Sequence, residues 1–209
     1  MLKFSQSIVI AMYVLLTAFP VSADILSGTI EFLKRPPKAG VIYEVKSSYE
    51  AINPKLNQIN KQFSEMIVVG SSKSSLHLKN EDSLDHNIFA NDSKQDVKFD
   101  VGLMSPASDK DLNLDWKENT LVRVGCKIHP KMRSYIANIP SDNFVSFEFT
   151  KKQTKAPFKL DNVLQNSDTF FLLLASYDSV EIKISKGETK SIDLLRKGKK
   201  KGSVVLTRI

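Results

Sequence analysis

The chain is predicted to be an all-β protein, a sandwich or barrel of short strands, and three observations predict it. Period-two alternation of apolar and polar residues recurs along its length, whereas few segments show helical periodicity. Turn-forming clusters such as Gly70-Ser71-Ser72, Asn80-Glu81-Asp82 and Ser105-Pro106-Ala107-Ser108-Asp109 separate the alternating runs at short spacing. An apolar fraction of 42% over 209 residues is too high for a disordered chain and supports one or two domains with cores of their own.

The first element is a targeting segment. Lys3 supplies a positive start, residues 8–19 form an apolar run, and Val21-Ser22-Ala23 is a small-residue cleavage site, so residues 1–23 are predicted to be an export signal cut after Ala23. The run is shorter than the roughly 20 residues that span a bilayer, so no membrane span is expected. No cysteine follows the site to carry a lipid. Removing residues 1–23 takes away one lysine and no acid, so the formal charge falls from +7 to +6. A periplasmic or secreted protein is implied.

Residues 24–52 contain strand candidates at 27–34 and 41–45 around a turn at Arg35-Pro36-Pro37-Lys38-Ala39-Gly40. A main domain follows over 53–150. Within it Leu84, His86 and Ile88 share one strand face, as do Phe99, Val101 and Leu103, and later Val145, Phe147 and Phe149. Residues 120–126 place Val122, Val124 and Cys126 inward and Leu121, Arg123 and Gly125 on the opposite face. The stretch between Met104 and Trp116, rich in Asp, Ser and Lys, reads as an exposed loop. Residues 151–156 read as a polar linker. The tail over 157–209 carries strand candidates around Phe170, Val180, Ile182 and Val204, but is thin for an independent core. Two arrangements follow: the amino-terminal strands join the tail as a small accessory β-sandwich into which the main domain is inserted, or they open the main sandwich.

Cys126 is the only cysteine. In an exported protein it has no internal disulfide partner, and a free thiol in an oxidising compartment is a liability unless it is buried and inert or ligates a metal. Its neighbours favour the metal. Cys126-Lys127-Ile128-His129-Pro130-Lys131-Met132 brings a thiolate, an imidazole and a thioether within seven residues, the donors of a type 1 (blue) copper centre save for a second imidazole. His86, inward on a distant strand, is the candidate for that imidazole. The predicted site is one copper ion with His86, Cys126 and His129 in a trigonal set and Met132 as the weak axial ligand. Asn87 is expected to donate its backbone N–H to the Cys126 sulfur. Closing such a site clips two distant segments together, and the rigidity suits cycling between Cu(II) and Cu(I).

Asp85-His86-Asn87-Ile88-Phe89, Phe99-Asp100-Val101-Gly102-Leu103, the Gly125 to Met132 block and Tyr135-Ile136 resemble the exported bacterial cupredoxin-like proteins often labelled methylamine utilization proteins. Asn60-Lys61-Gln62-Phe63 and Pro157-Phe158-Lys159-Leu160 add to the match. The pairing of His-Asn with Cys-x2-His-x2-Met is also similar to amicyanin and plastocyanin. The resemblance spans roughly residues 55–160. It implies a cupredoxin Greek-key β-sandwich, the four ligands named above, and electron exchange through the exposed edge of His129. Methylamine oxidation is not implied. Two departures stand out: Lys117-Glu118-Asn119 replaces a frequent glycine before the cysteine strand, with asparagine making the turn, and the tail lacks a histidine-rich element.

The remaining candidates read as structural. His77 alternates with Leu76 and Leu78 and is expected to be exposed, Trp116 to be core or domain contact, and the lysines of residues 197–201 to crown a solvated hairpin. No Gly-rich phosphate loop and no nucleophile triad is present, and export argues against nucleic acid as a partner. Cys126 with His129 as thiol and base is disfavoured by their closeness on one loop, so no enzyme is expected. Lys127, Lys131 and Arg133 around the ligands would steer an acidic redox partner protein. Three functions follow: an electron-transfer module, a copper protein for delivery, storage or sensing, and a structural or adhesive β-protein with a vestigial site.

Overall fold

The computed structural model describes residues 23–209, and the predicted export signal lies outside them except for Ala23. The described residues contain seventeen strands and no helix. In chain order they are β1 (Asp24–Phe32) and β2 (Ala39–Glu44), then β3 (Lys55–Ile59), β4 (Gln62–Phe63), β5 (Ile67–Ser71), β6 (Ser75–Asn80), β7 (His86–Asp92), β8 (Val97–Met104), β9 (Asp109–Asn113), β10 (Thr120–Cys126) and β11 (Arg133–Ile139). The chain ends with β12 (Phe144–Glu148), β13 (Lys155–Val163), β14 (Thr169–Leu174), β15 (Val180–Lys183), β16 (Thr189–Arg196) and β17 (Lys199–Arg208).

The strands form four sheets, ordered β13-β1-β17-β16, β12-β2-β14-β15, β5-β11-β10-β7-β8 and β4-β3-β6-β9. Three apolar cores show how they stack. Leu26 and Ile30 of β1 meet Ile42 of β2 and Phe170 and Leu172 of β14 between the first two sheets. Leu76 and Leu78 of β6 meet Ile88, Val122, Val124 and Ile136 between the last two. A third core lies between the two sandwiches, where Val41, Tyr43 and Leu173 pack on Val69, Leu121 and Ala137. Strands β2, β5 and β11 therefore sit in sheets covered on both faces. Their near-continuous apolar runs, such as Ala39-Gly40-Val41-Ile42-Tyr43, follow from that double burial.

Strand β1 pairs with β13 and β17, and β2 pairs with β12 and β14, so both amino-terminal strands lie in the sandwich made by the tail. The nine-strand site sandwich of β3–β11 is inserted between them. The domain boundary differs from the one read in the sequence. Strand β12, with Val145 and Phe147, pairs with β2, so the crossing falls in residues 140–143 rather than at 150. Alternation shows that a strand has a buried face but not which sheet it covers, and Pro140-Ser141-Asp142-Asn143 reads like any of the turns between strands. Residues 151–156 are likewise not an interdomain linker: they make the turn from β12 and enter β13, with Gln153 N–H donating to Thr150 O at 3.2 Å.

The expected loop at 104–116 contains β9, which pairs with β6 along Lys79↔Asp109 to Ser75↔Asn113. It is an edge strand with only Leu112 turned to the core, so its polar composition hides it. In β8 the expected face breaks at Gly102, whose φ of 72° marks a bulge. Opposite it, β7 advances from Asn87 to Phe89 while β8 runs from Leu103 to Asp100. Leu103 is thereby 56% exposed and Met104 takes the buried place. Leu84 lies in the turn before β7, exposed, and does not share the inward face of His86 and Ile88.

Candidate metal centre

The site lies where β10 ends and β7 begins. These strands are antiparallel neighbours, pairing Val124 with Ala90 and Cys126 with Ile88, so their register sets the His86 end of one beside the cysteine end of the other. Lys127 N–H donates to Asn87 O at 2.9 Å and extends the ladder one step beyond Cys126. The loop then turns tightly, with Pro130 restricting the backbone, and Met132 N–H donates to His129 O at 2.9 Å.

Three of the predicted ligands converge. Cys126 Sγ is 3.7 Å from His86 Nδ1 and 3.8 Å from His129 Nδ1, and the two nitrogens are 3.2 Å apart. A point in the plane of these atoms lies about 2.1 Å from each, close to ordinary metal–nitrogen and metal–sulfur bond lengths. His86 and Cys126 are buried, and His129 is half-buried. Met132 is buried at the end of the same loop. Asn87 N–H reaches the Cys126 sulfur at 3.4 Å.

Hydrogen bonding decides what the triangle offers. His86 Nε2 lies 3.3 Å from Asp82 Oδ2, and a carboxylate there requires Nε2 to carry the proton. In the neutral ring Nδ1 then holds a bare lone pair, aimed at the sulfur and at His129. Burial pushes the His86 pKa down, against the opposing pull of Asp82, which favours that neutral form. A soft sulfur and two imidazole nitrogens facing one point fit a copper or zinc-like cation.

Asp82 is the site residue that the sequence reading missed. Its carboxylate accepts the N–H of Lys61 at 2.7 Å and of Ser83 at 2.9 Å. The turn that carries it is shaped by fully buried Asn80, whose amide donates to Leu84 O and Met104 O and accepts from Asp82 N–H. An acid four residues before a candidate ligand histidine was the available signal. Around the cysteine, Asp100 accepts from Lys127, from Gly102 N–H and from the Asn87 side chain, and the Lys127 bond foremost pushes its pKa down to about 2. This ties the second residue of the His-Asn pair to the loop after Cys126.

His129 also faces outward, at the edge of a pocket lined by Phe63, Met66, Ile128 and Pro130 with Lys61, Lys131 and Arg133 on its rim. Ile128 is 46% exposed. His77 stands elsewhere, on β6, where its Nδ1 lies 2.9 Å from Asp111 Oδ1. Trp116 stacks on Phe99 at 5.8 Å against the site sandwich's core.

No protein-family profile matches the chain, and no curated protein sequence matches it. Among solved structures it is similar to a purple cupredoxin, an amicyanin variant and a copper-containing nitrite reductase. A purple cupredoxin from Nitrosopumilus maritimus is 13% identical, covering 41% of this chain and 99% of its own, with a TM-score of 0.36. A reduced amicyanin variant is 13% identical over 48% of this chain and 98% of its own, at 0.37. A copper-containing nitrite reductase from Thermus scotoductus SA-01 is 13% identical over 46% of this chain and 25% of its own, at 0.38.

Proposed function

We propose that this chain is an exported, periplasmic or secreted type 1 copper protein that carries single electrons. His86, Cys126 and His129 are its equatorial ligands and Met132 its weak axial one. The observation that carries the reading is the triangle of Nδ1, Sγ and Nδ1 atoms, its sides 3.2 to 3.8 Å, at the meeting of two hydrogen-bonded strands. Bound copper would supply a Cu(II)/Cu(I) couple.

The chain's own residues do the rest. The β7–β10 ladder fixes His86 against Cys126, so the donor set need not rearrange when its charge changes. Asn87 N–H stabilises the thiolate, and Asp82 holds the His86 ring in the tautomer that leaves Nδ1 free. If Met132 completes the set of two imidazoles and a thiolate as proposed, the protein supplies every ligand and leaves no position for a substrate, which favours a carrier over an enzyme. His129 is the route outward, since its ring borders the apolar pocket at the surface. Lys61, Lys131 and Arg133 around that pocket suit a redox partner with an acidic docking patch.

Titration of the purified chain with Cu(II) in the absence of reductant tests the reading. The expected result is an intense visible thiolate-to-copper absorption at one equivalent, and its absence overturns the type 1 assignment. Met132→Leu is expected to keep that band and raise the reduction potential. Loss of copper binding in that variant would remove Met132 from its axial role. Slow release of Cu(I) to a mild chelator is expected of a carrier of electrons, and rapid release favours copper delivery instead.

A further inference from the structure

The accessory sandwich gathers positive charge at one end. Strand β1 stops at Phe32 between the start of β13 and the start of β17, so three connections meet there. Phe32 N–H donates to Thr154 O at 2.8 Å, Leu33 N–H to Lys201 O at 2.9 Å, and Phe149 N–H to Lys38 O at 3.0 Å. The β1–β2 connection brings Lys34, Arg35 and Lys38, all exposed, and the β12–β13 turn brings Lys151 and Lys152. The β16–β17 hairpin, turned by Lys197 and Gly198 at φ 53° and 70°, brings Lys197, Lys199 and Lys201.

Local acids do not neutralise this end. Glu31 is occupied by Lys155 at 2.6 Å, Asp193 by Lys200 at 2.6 Å, and Asp178, which accepts Gly198 N–H at 3.3 Å, by Lys94 at 2.9 Å, and the other cations named have no side-chain partner among the described residues. Such self-repulsion is a cost unless an anionic surface meets it. At the centre of the cluster, beside Lys201, Leu33 is 66% exposed, the most exposed large apolar side chain described. An apolar side chain standing out of a cationic ring matches a bilayer surface, where anionic headgroups face the ring and the acyl boundary takes the leucine. A nucleic acid strand is a poorer fit, because residues 33–38, 150–155 and 196–201 contain no aromatic side chain on which a base stacks.

We infer that this end of the accessory sandwich is a peripheral docking surface for anionic lipid, with Leu33 entering the headgroup layer and the surrounding lysines pairing with lipid phosphates. The surface is separate from the copper ligands, and docking is expected of the metal-free and the loaded protein alike.

Co-sedimentation of the chain with vesicles tests it. Binding is expected to phosphatidylcholine vesicles that contain phosphatidylglycerol, weakening as salt is raised, and not to phosphatidylcholine alone. Replacing Lys197→Glu, Lys199→Glu and Lys201→Glu together is expected to lower partitioning more than about tenfold. Leu33→Ser, which leaves every charge in place, is expected to lower it about fivefold, and Leu33→Trp to give a blue-shifted emission on the anionic vesicles only. Equal binding to both vesicle types, binding to anionic vesicles that ignores either change, or no binding at all overturns the proposal. So does displacement of the protein from vesicles by an oligonucleotide that binds the Leu33→Ser variant as tightly as the parent, which would assign the cluster to nucleic acid.

Discussion

Each sandwich holds a buried polar cluster, and the two clusters are of opposite kinds. In the accessory sandwich Arg208 is fully buried, yet its guanidinium donates to Asp24 Oδ2 and to the carbonyls of Ser167, Ile184, Leu164 and Gln165. Buried Glu44 is likewise occupied, accepting from Leu164 N–H at 2.9 Å and from the Asn143 amide at 3.1 Å. Each of these charges is met by hydrogen-bonding groups. In the site sandwich His86 Nδ1, Cys126 Sγ and His129 Nδ1 face one another instead, three atoms of the kinds that ligate a metal. Burial of a polar residue does not by itself mark a functional site; the sign of what it faces does.

That contrast breaks first at Cys126. Cys126→Ser is expected to abolish the copper-thiolate absorption entirely while the metal-free protein still unfolds near the parent's temperature, as checked by copper titration and thermal melts. A surviving band would mean that the thiolate is not the ligand. The complementary change, Arg208→Met, is expected to lower the thermal midpoint by about 10 °C, because it strands Asp24 and removes one of the cations that hold it. The copper absorption should persist in that variant at low temperature. Its loss would show that the site depends on the accessory sandwich.

Acid offers a gentler separation. The hydrogen bond from Lys186, outweighing burial and joined by Arg208, holds the Asp24 carboxyl below its ordinary value of 3.8. A pKa lower in the folded state means that the pair stabilises fully above the unfolded value and that this contribution is lost as pH falls through the folded one. Melts recorded below about pH 4 should therefore show a steeper fall in midpoint for the parent than for an Asp24→Asn variant. Equal slopes would mean that Asp24 contributes nothing to acid lability. The smallest effect is expected at Asp82→Asn, where a neutral acceptor replaces the carboxylate on His86 Nε2. Copper should still bind, and the potential should rise by at most about 60 mV, equivalent to a tenfold change in preference between the two oxidation states. An unchanged potential would reduce Asp82 to a turn-forming residue.

The three side chains that converge, His86, Cys126 and His129, were more legible in the sequence than the fold around them. A lone cysteine with His129 and Met132 at fixed spacing is a local pattern, and His86 followed by Asn87 on an alternating strand pointed to its distant partner. Asp82 escaped because its role depends on a turn held by Asn80 and on the N–H of Lys61, neither of which alternation reports. Strand β9 escaped because an edge strand needs only one inward side chain, and the domain crossing before β12 because alternation is the same on either side of it.

What the sequence by itself determined is the all-β class, the short strands and the chemistry of the donors, since periodicity, turn residues and ligand types are properties of neighbours along the chain. What only the tertiary structure decided is which sheet each strand joins, where one sandwich gives way to the other, and which donors meet. Those depend on hydrogen-bonded register between segments far apart in sequence. The ladder from Val124↔Ala90 to Cys126↔Ile88 sets the ends of β7 and β10 side by side, and so brings residue 86 to residue 126.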